Sequence, residues 1–310
     1  MIEIEITDIP PLRSGEQSLL AMHSLLNVFN VLRGELVMIG LSLAGNDELL
    51  VRGMALCDKW TASLLDPVAG LEGARRVDEH ARTIFAEIDA AIAAHPETSA
   101  DAGVAESVSN LHAVFDIFRV RARELLARAR HPDRWETFSI TDLRQNFLEV
   151  FSAIEKHSHG RYRIIYNAAL QATRDYYVDF KLESNGGDRL IMPAMFQDVM
   201  RDLIANARKY TAPGGHITAA LYEDAEALRF LVEDTGRGIP EGELEKVVQF
   251  GQRASNVGEV RTMGGGFGLT KAFLVTKQFG GRFWLASQLG VGTRVRIQIP
   301  RPSEAQSAAR

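Results

Sequence analysis

The sequence predicts two domains of different class, an N-terminal helical bundle followed by an α+β sandwich with helices on one face of a sheet. Residues 15–131 carry apolar seams at helical spacing and few β-rich runs. After His131-Pro132-Asp133, short strands alternate with helices and glycine turns. The expected domains are therefore 1–132, 133–302 and a frayed polar tail, 303–310.

In the first half one seam runs Met22, Leu25, Phe29, Leu32, Leu36, Ile39 and Leu43. Its alternating steps of three and four bury a narrow stripe against another helix. A second seam runs Val104, Val108, Leu111, Phe115, Phe118, Ala122, Leu125 and Ala129. Between them lie helical stretches at Asp47–Leu65 and Val77–Ala94, with a break expected at Pro67-Val-Ala-Gly70. Seams of this kind predict a homodimer built on a four-helix core with extra helices.

In the second half, strands are expected over Arg161–Tyr166 and Tyr176–Leu182, with hairpins of His216–Tyr222 with Ala227–Glu233 and of Gly281–Ser287 with Thr293–Ile299. Helices are expected over Met195–Tyr210 and Lys271–Phe279.

The chain has 310 residues, 46% apolar and 24% charged, a composition of water-exposed globular domains. A net charge of −5 argues against a nucleic-acid partner. Cys57 is the one cysteine, so disulfide frameworks and zinc sites are excluded. The acidic start, Met1-Ile-Glu-Ile-Glu-Ile6, does not read as a signal peptide, and no stretch approaches the ~20 apolar residues of a membrane span. The expectation is a cytoplasmic protein.

Three features stand in order in the second half: Asn206-Ala-Arg-Lys-Tyr-Thr211 on a helix, Asp234-Thr-Gly-Arg-Gly-Ile-Pro240 after a strand, and Gly264-Gly-Gly-Phe-Gly-Leu269 before a helix. Gly236 and Gly238 admit a flat ligand close to the backbone. Asp234 can accept a hydrogen bond from an exocyclic amine, and a helix opening at Gly264–Gly268 offers N–H groups to phosphates. Asp202 and Asn206, one turn apart with Lys209 nearby, suit a magnesium-bound triphosphate.

Together with Gly290-Val-Gly292-Thr293, these boxes resemble those of the histidine-kinase, gyrase, heat-shock-chaperone and mismatch-repair ATPase superfamily. Asp202-Leu-Ile-Ala-Asn206-Ala-Arg-Lys-Tyr-Thr211 is most similar to the two-component sensor histidine-kinase branch. A chain stopping after Pro300 leaves no room for the gyrase-type transducer domain. The resemblance implies a Bergerat-type α/β sandwich that binds ATP and Mg2+. Asp234 would bind the adenine amine within a pocket of Gly236 and Gly238, and Asn206 would hold magnesium with Asp202 supporting it. Lys209 would reach the phosphates, and Tyr210 would lie against adenine or ribose. Gly264, Gly266 and Gly268 would cradle phosphates, with Leu269 and Thr293 completing the boxes. Gln252–Met263 would be a mobile lid, with Arg253 or Arg261 touching the γ-phosphate. Phe250-Gly251-Gln252-Arg253 matches the lid's aromatic box only in part, and Asp202 replaces the usual Asn.

His23-Ser-Leu-Leu-Asn-Val-Phe-Asn-Val-Leu-Arg-Gly34 resembles the dimerisation and phosphoacceptor helix of these kinases. The resemblance makes His23 the acceptor and Asn27 the residue that orients water for dephosphorylation, with a response-regulator receiver domain as partner. His23, Asn27, Asn30 and Gly34 share one polar or small stripe, while His80 and His112 are weaker candidates. The family's acid after the histidine is Ser24 here, which cannot serve as a base at neutral pH. The expectation is a histidine kinase with a slow autokinase step or a phosphatase bias, its signal arriving through a separate sensor protein or the inserted helices. A non-catalytic ATP-binding or phosphotransfer scaffold is the alternative, and a serine kinase of a regulatory protein a third.

Overall fold

The computed structural model describes residues 1–98, 101–156, 160–258 and 265–302. The chain divides into two units, Pro11–His131 and a second that joins Met1–Pro10 to the residues from Pro132 onward.

Residues Ile2–Ile6 form strand β1, and the helical unit follows as α1 (Ser14–Ala44), α2 (Val51–Ser63), α3 (Pro67–Arg75), α4 (Val77–Ala94) and α5 (Ala102–Arg130). The first seam is buried along its whole length, from Met22 at 3% exposed to Leu43 at 3%. It is buried by the same chain. Phe29 stacks on Trp60 of α2 at 5.1 Å and meets Phe118 of α5 edge-on at 5.2 Å. Cys57, Ile84, Ile88, Leu111 and Phe115 fill the rest of that core. This corrects the expectation that the seam is a dimer contact: α2, α3 and α5 occupy the apolar stripe that a partner would have covered. The second seam is likewise internal except for Ala129, which is exposed.

Two further differences arise here. The break expected at Pro67 is instead a helix start. Asp66 accepts from the N–H groups of Val68 and Ala69 at 2.8 and 2.9 Å, and Pro67 occupies the first turn, where its missing N–H costs nothing. Helix α1 is also long and apolar enough, by length and composition, to cross a membrane, contrary to the sequence expectation.

The second unit continues with β2 (Trp135–Ser139), α6 (Ile140–Lys156), β3 (Ile164–Ile165), β4 (Tyr176–Ser184), β5 (Arg189–Pro193), α7 (Phe196–Tyr210), β6 (His216–Glu223) and β7 (Ala227–Asp234). Helix α8 (Gly268–Gln278) and strands β8 (Arg282–Gln288) and β9 (Gly292–Pro300) complete it. Seven strands form one sheet in the order β1-β8-β9-β7-β6-β4-β3, and β2 pairs with β5 apart from it. Along β7 the side chains of Leu228, Phe230, Val232 and Asp234 are buried while Arg229, Leu231 and Glu233 between them are only partly covered, the pattern of a sheet packed on one face. Helices α6, α7 and α8 supply Phe147, Phe151, Phe196, Leu203 and Phe273 to that core.

β6–β7 and β8–β9 are the expected hairpins; β3, β4 and β6 run parallel, because β5 and α7 form the crossover between β4 and β6. Strand β1 lies within the expected helical domain, 1–132, yet it pairs antiparallel with β8. Its period-two pattern explains this: Ile6 is buried in the sandwich core with Ile4 packed against it, while Glu3 and Glu5 pair with Arg296 and Arg282. The helical unit is thus inserted in sequence between two strands of the second unit.

Candidate functional site

The site is built where three glycine-bearing loops meet at positions that exclude side chains. Asp234 ends β7 at 7% exposed, and its Oδ1 accepts from Gly236 N at 2.8 Å. A Cβ on Gly236 would lie 2.5 Å from the carbonyl oxygen of Tyr210, and one on Gly238, at φ +69, would overlap the backbone of Gln288. Gly292, at φ +138, lies as close to the backbone of Asp234. Arg237 N donates to Tyr210 O at 3.2 Å and Gly290 N to Arg237 O at 2.9 Å, stitching the end of α7, the Asp234 loop and the β8–β9 turn together. Ser287 Oγ joins the cluster, accepting from Ile239 N at 2.8 Å and lying 3.0 Å from Thr293 Oγ1.

Burial pushes the Asp234 carboxyl up to about 6, against the N–H groups of Gly236 and Thr293 and the Thr211 hydroxyl that favour its ionised form. A carboxylate kept in so dry a place, with no cationic partner among the described residues, marks a group with a task.

The other end of the site lies along α7. A Cβ on Gly268 would meet the Asn206 carboxamide at 2.7 Å, so the first turn of α8 sits directly on Asn206. Gly266, at φ +79, is pressed against Gly251 and Gln252, and Phe250 stacks on Phe267 at 4.8 Å. Lys209 is half-buried, 4.8 Å from the centre of the Tyr210 ring. Burial, with Arg253 and Arg208 nearby, pulls its ammonium down to about 8. Tyr210 therefore joins the Asp234 end to the Lys209 end. Leu269 packs on the core and contributes position rather than chemistry. Asp202 turns to Lys271, 3.1 Å away. Among the described residues no group of three or more His, Cys, Asp or Glu could hold a metal, so a cation here would draw most of its ligands from phosphate and water.

Two side chains absent from the sequence reading belong to the site. Asn256 donates to Gly238 O at 2.9 Å, and its Oδ1 is buried without a hydrogen-bond partner. Arg237 donates to Asn256 O at 2.9 Å, and Ser255 N to Glu243 at 2.7 Å. Ala254 and Val257 are buried in the core. The first half of the expected lid, residues 252–258, is thus pinned to the Asp234 loop; Arg261 and Gly264 lie outside the described residues. The second is Lys271, a lysine buried in α8.

Residues 193–303 match the family described as histidine kinase-, DNA gyrase B- and HSP90-like ATPases. This stretch is an ATPase domain of that family, and the similar curated proteins include sensor histidine kinases. The adaptive-response sensory kinase SasA of Synechococcus elongatus is 29% identical over 204 residues, 63% of this chain and 49% of the relative. The sensor histidine kinase WalK of Bacillus subtilis is 32% identical over 140 residues, 43% and 23% respectively. The chain therefore spans half or less of the length of these kinases. A solved mycobacterial sensor histidine kinase, MprB, aligns at 22% identity and a TM-score of 0.39 over 54% of this chain and 99% of that one.

In the helical unit His23 and Ser24 are half-buried on α1, while Asn27, Asn30 and Gly34 are exposed. A Cβ on Gly34 would meet nothing within 4 Å. His80 is buried, accepts the Trp60 indole N–H at 3.0 Å through Nδ1, and is held below its usual range mainly by burial. His112 lies stacked on Phe85 at 4.1 Å.

Proposed function

We propose that the protein is a histidine kinase that binds Mg-ATP in its ATPase domain and exchanges phosphate between His23 and a response-regulator receiver domain. The observation that carries the nucleotide reading is the buried, ionisable Asp234 held between Gly236, Gly238 and Gly292, each packed too closely for a side chain. Asp234 accepts the adenine amine, and Asn256, bonded to the Gly238 carbonyl, keeps a buried Oδ1 without a hydrogen-bond partner. Asn206 holds magnesium, which when bound neutralises charge on the phosphates. Lys209 meets the phosphates as a cation, and Gly266 and Gly268 leave the backbone N–H groups of the α8 start open to them.

His23 is the acceptor: a ring nitrogen forms the P–N bond as the bond to ADP breaks, and the ring proton passes to water. Ser24 cannot take that proton, so the autokinase step is slow and the enzyme leans towards dephosphorylation, for which Asn27, exposed one turn after His23, can orient water. Glycine at position 34 leaves the same stripe open for a docked regulator. Because the α1 seam is covered within the chain, a homodimer has to use other surface, such as the exposed Met38, Leu41, Ile117 and Val120.

Incubation with γ-labelled ATP, followed by acid and base treatment, tests the reading. Acid-labile label that disappears in His23→Ala supports it. ATP binding with no label on the protein or on a supplied receiver domain favours a phosphate-independent scaffold, the reading that Ser24 also motivates.

A further inference from the structure

One buried charge in the ATPase domain has no role in the chemistry above. Lys271 lies one turn into α8, 6% exposed. Its ammonium donates to Asp202 Oδ2 at 3.1 Å and to Asp198 Oδ2 at 3.4 Å, both on α7. Asp198 also pairs with Arg201 at 3.3 Å. An ammonium this deep is tolerated only with close counter-charges, and losing one partner leaves the other charge stranded.

The location gives the cluster its meaning. It spans the two helices whose nearest approach is Gly268 on the Asn206 carboxamide, with Asp202 Cβ 3.7 Å from the same absent Cβ. The start of α8 and the Asn206 turn of α7 are the phosphate and magnesium end of the site; adenine is held at Asp234, on β7. Resting on that nucleotide reading, we infer that Lys271 is a positioning residue for the phosphate end: it neutralises Asp202 and so keeps α8 seated on α7 with Gly268 against Asn206. Asp202 is then the counter-charge of Lys271 rather than a ligand of magnesium. Without the ammonium, the Asp202 carboxylate would repel both a triphosphate and the seating of α8.

Binding of the full chain to the magnesium complex of a non-hydrolysable ATP analogue and to adenosine separates the two ends. Lys271→Met should weaken the analogue about tenfold or more, since breaking a buried charge pair costs on that scale. Adenosine affinity should stay within about twofold, as expected for sites without shared partners. Adding Asp202→Asn to Lys271→Met should restore most of the analogue's affinity by removing the negative charge that Lys271 neutralised. Asp202→Asn alone should cost less than Lys271→Met, because Lys271 keeps Asp198. An unchanged analogue affinity in Lys271→Met overturns the inference. Equal loss of adenosine and analogue also does so, because it shows general loss of the fold, as does a double variant no better than Lys271→Met. A wild type that binds neither ligand refutes the nucleotide reading itself, and the inference with it.

Discussion

Asp234→Asn should separate binding from stability, improving one while destroying the other. In the wild type burial, the leading cause, pushes the carboxyl up to about 6 in the folded chain from an ordinary value of 3.8. Below 3.8 both folded and unfolded chains are protonated there, and the group has no effect. Between 3.8 and 6 the folded chain holds the proton more tightly, so the stability it contributes is lost as pH rises through that window. Above 6 the full cost of a buried carboxylate is present, about two pH units or about 3 kcal/mol. The Asn variant avoids this cost, less what Gly236 and Thr293 lose when they donate to a neutral group, and should be more stable than wild type at pH 7. Binding should move the other way. Losing a hydrogen bond to a charged acceptor is worth about 1.5–3 kcal/mol, a drop of about tenfold to a hundredfold or more in ATP affinity. The wild type should itself bind ATP about tenfold more weakly at pH 5 than at pH 7, since only the ionised carboxyl is a pure acceptor. Calorimetry with an ATP analogue across pH 5–8, alongside urea unfolding of both proteins, reads all three effects. Wild-type-like affinity in the variant, or a flat acid limb, would refute the assignment of Asp234. A variant less stable than wild type at pH 7 would refute the burial argument.

Lys209, pulled down to about 8, predicts the alkaline limb. ATP affinity should decline above pH 8, and binding there should take up protons, visible as a buffer-dependent calorimetric enthalpy; Lys209→Met should flatten that limb and leave the acid one. Ser24→Glu should speed autophosphorylation, recovering part of the ~10²–10⁴-fold that a positioned base contributes, and an unchanged labelling rate would count against a missing base as the bottleneck. Phe29→Ala should destabilise the helical unit by about 3–5 kcal/mol without changing the oligomeric state, as Phe29 packs against Trp60 and Phe118 of its own chain; light scattering that showed a dimer falling apart would contradict this. Glu3→Lys with Glu5→Lys should loosen β1 from β8, seen as faster amide exchange over residues 2–6 while the rest of the sheet stays protected.

The amino-acid sequence by itself determined the features that depend on local chemistry. Gly236, Gly238 and Gly268 announce close approach wherever they fold, because only glycine tolerates it, and the order of the boxes identified the ATPase domain. The α1 seam was legible from its spacing, as were the helices over Phe196–Tyr210 and Val77–Ala94. Periodicity tells which face is buried, however, and never by what. Only the tertiary structure decided that α2, α3 and α5 of the same chain cover Met22 to Leu43, since any apolar surface satisfies the stripe equally well. It also decided that β1 joins a sheet whose other strands lie beyond residue 160, a pairing set by Ile4, Ile6 and two distant arginines. Asn256 and Lys271 were invisible for the same reason: an amide in a loop and a lysine in a helix are ordinary until the fold brings Gly238 to one and Asp198 and Asp202 to the other. Hydrogen bonds and ion pairs between distant residues leave no periodic trace along the chain, whereas glycine contacts and apolar seams do.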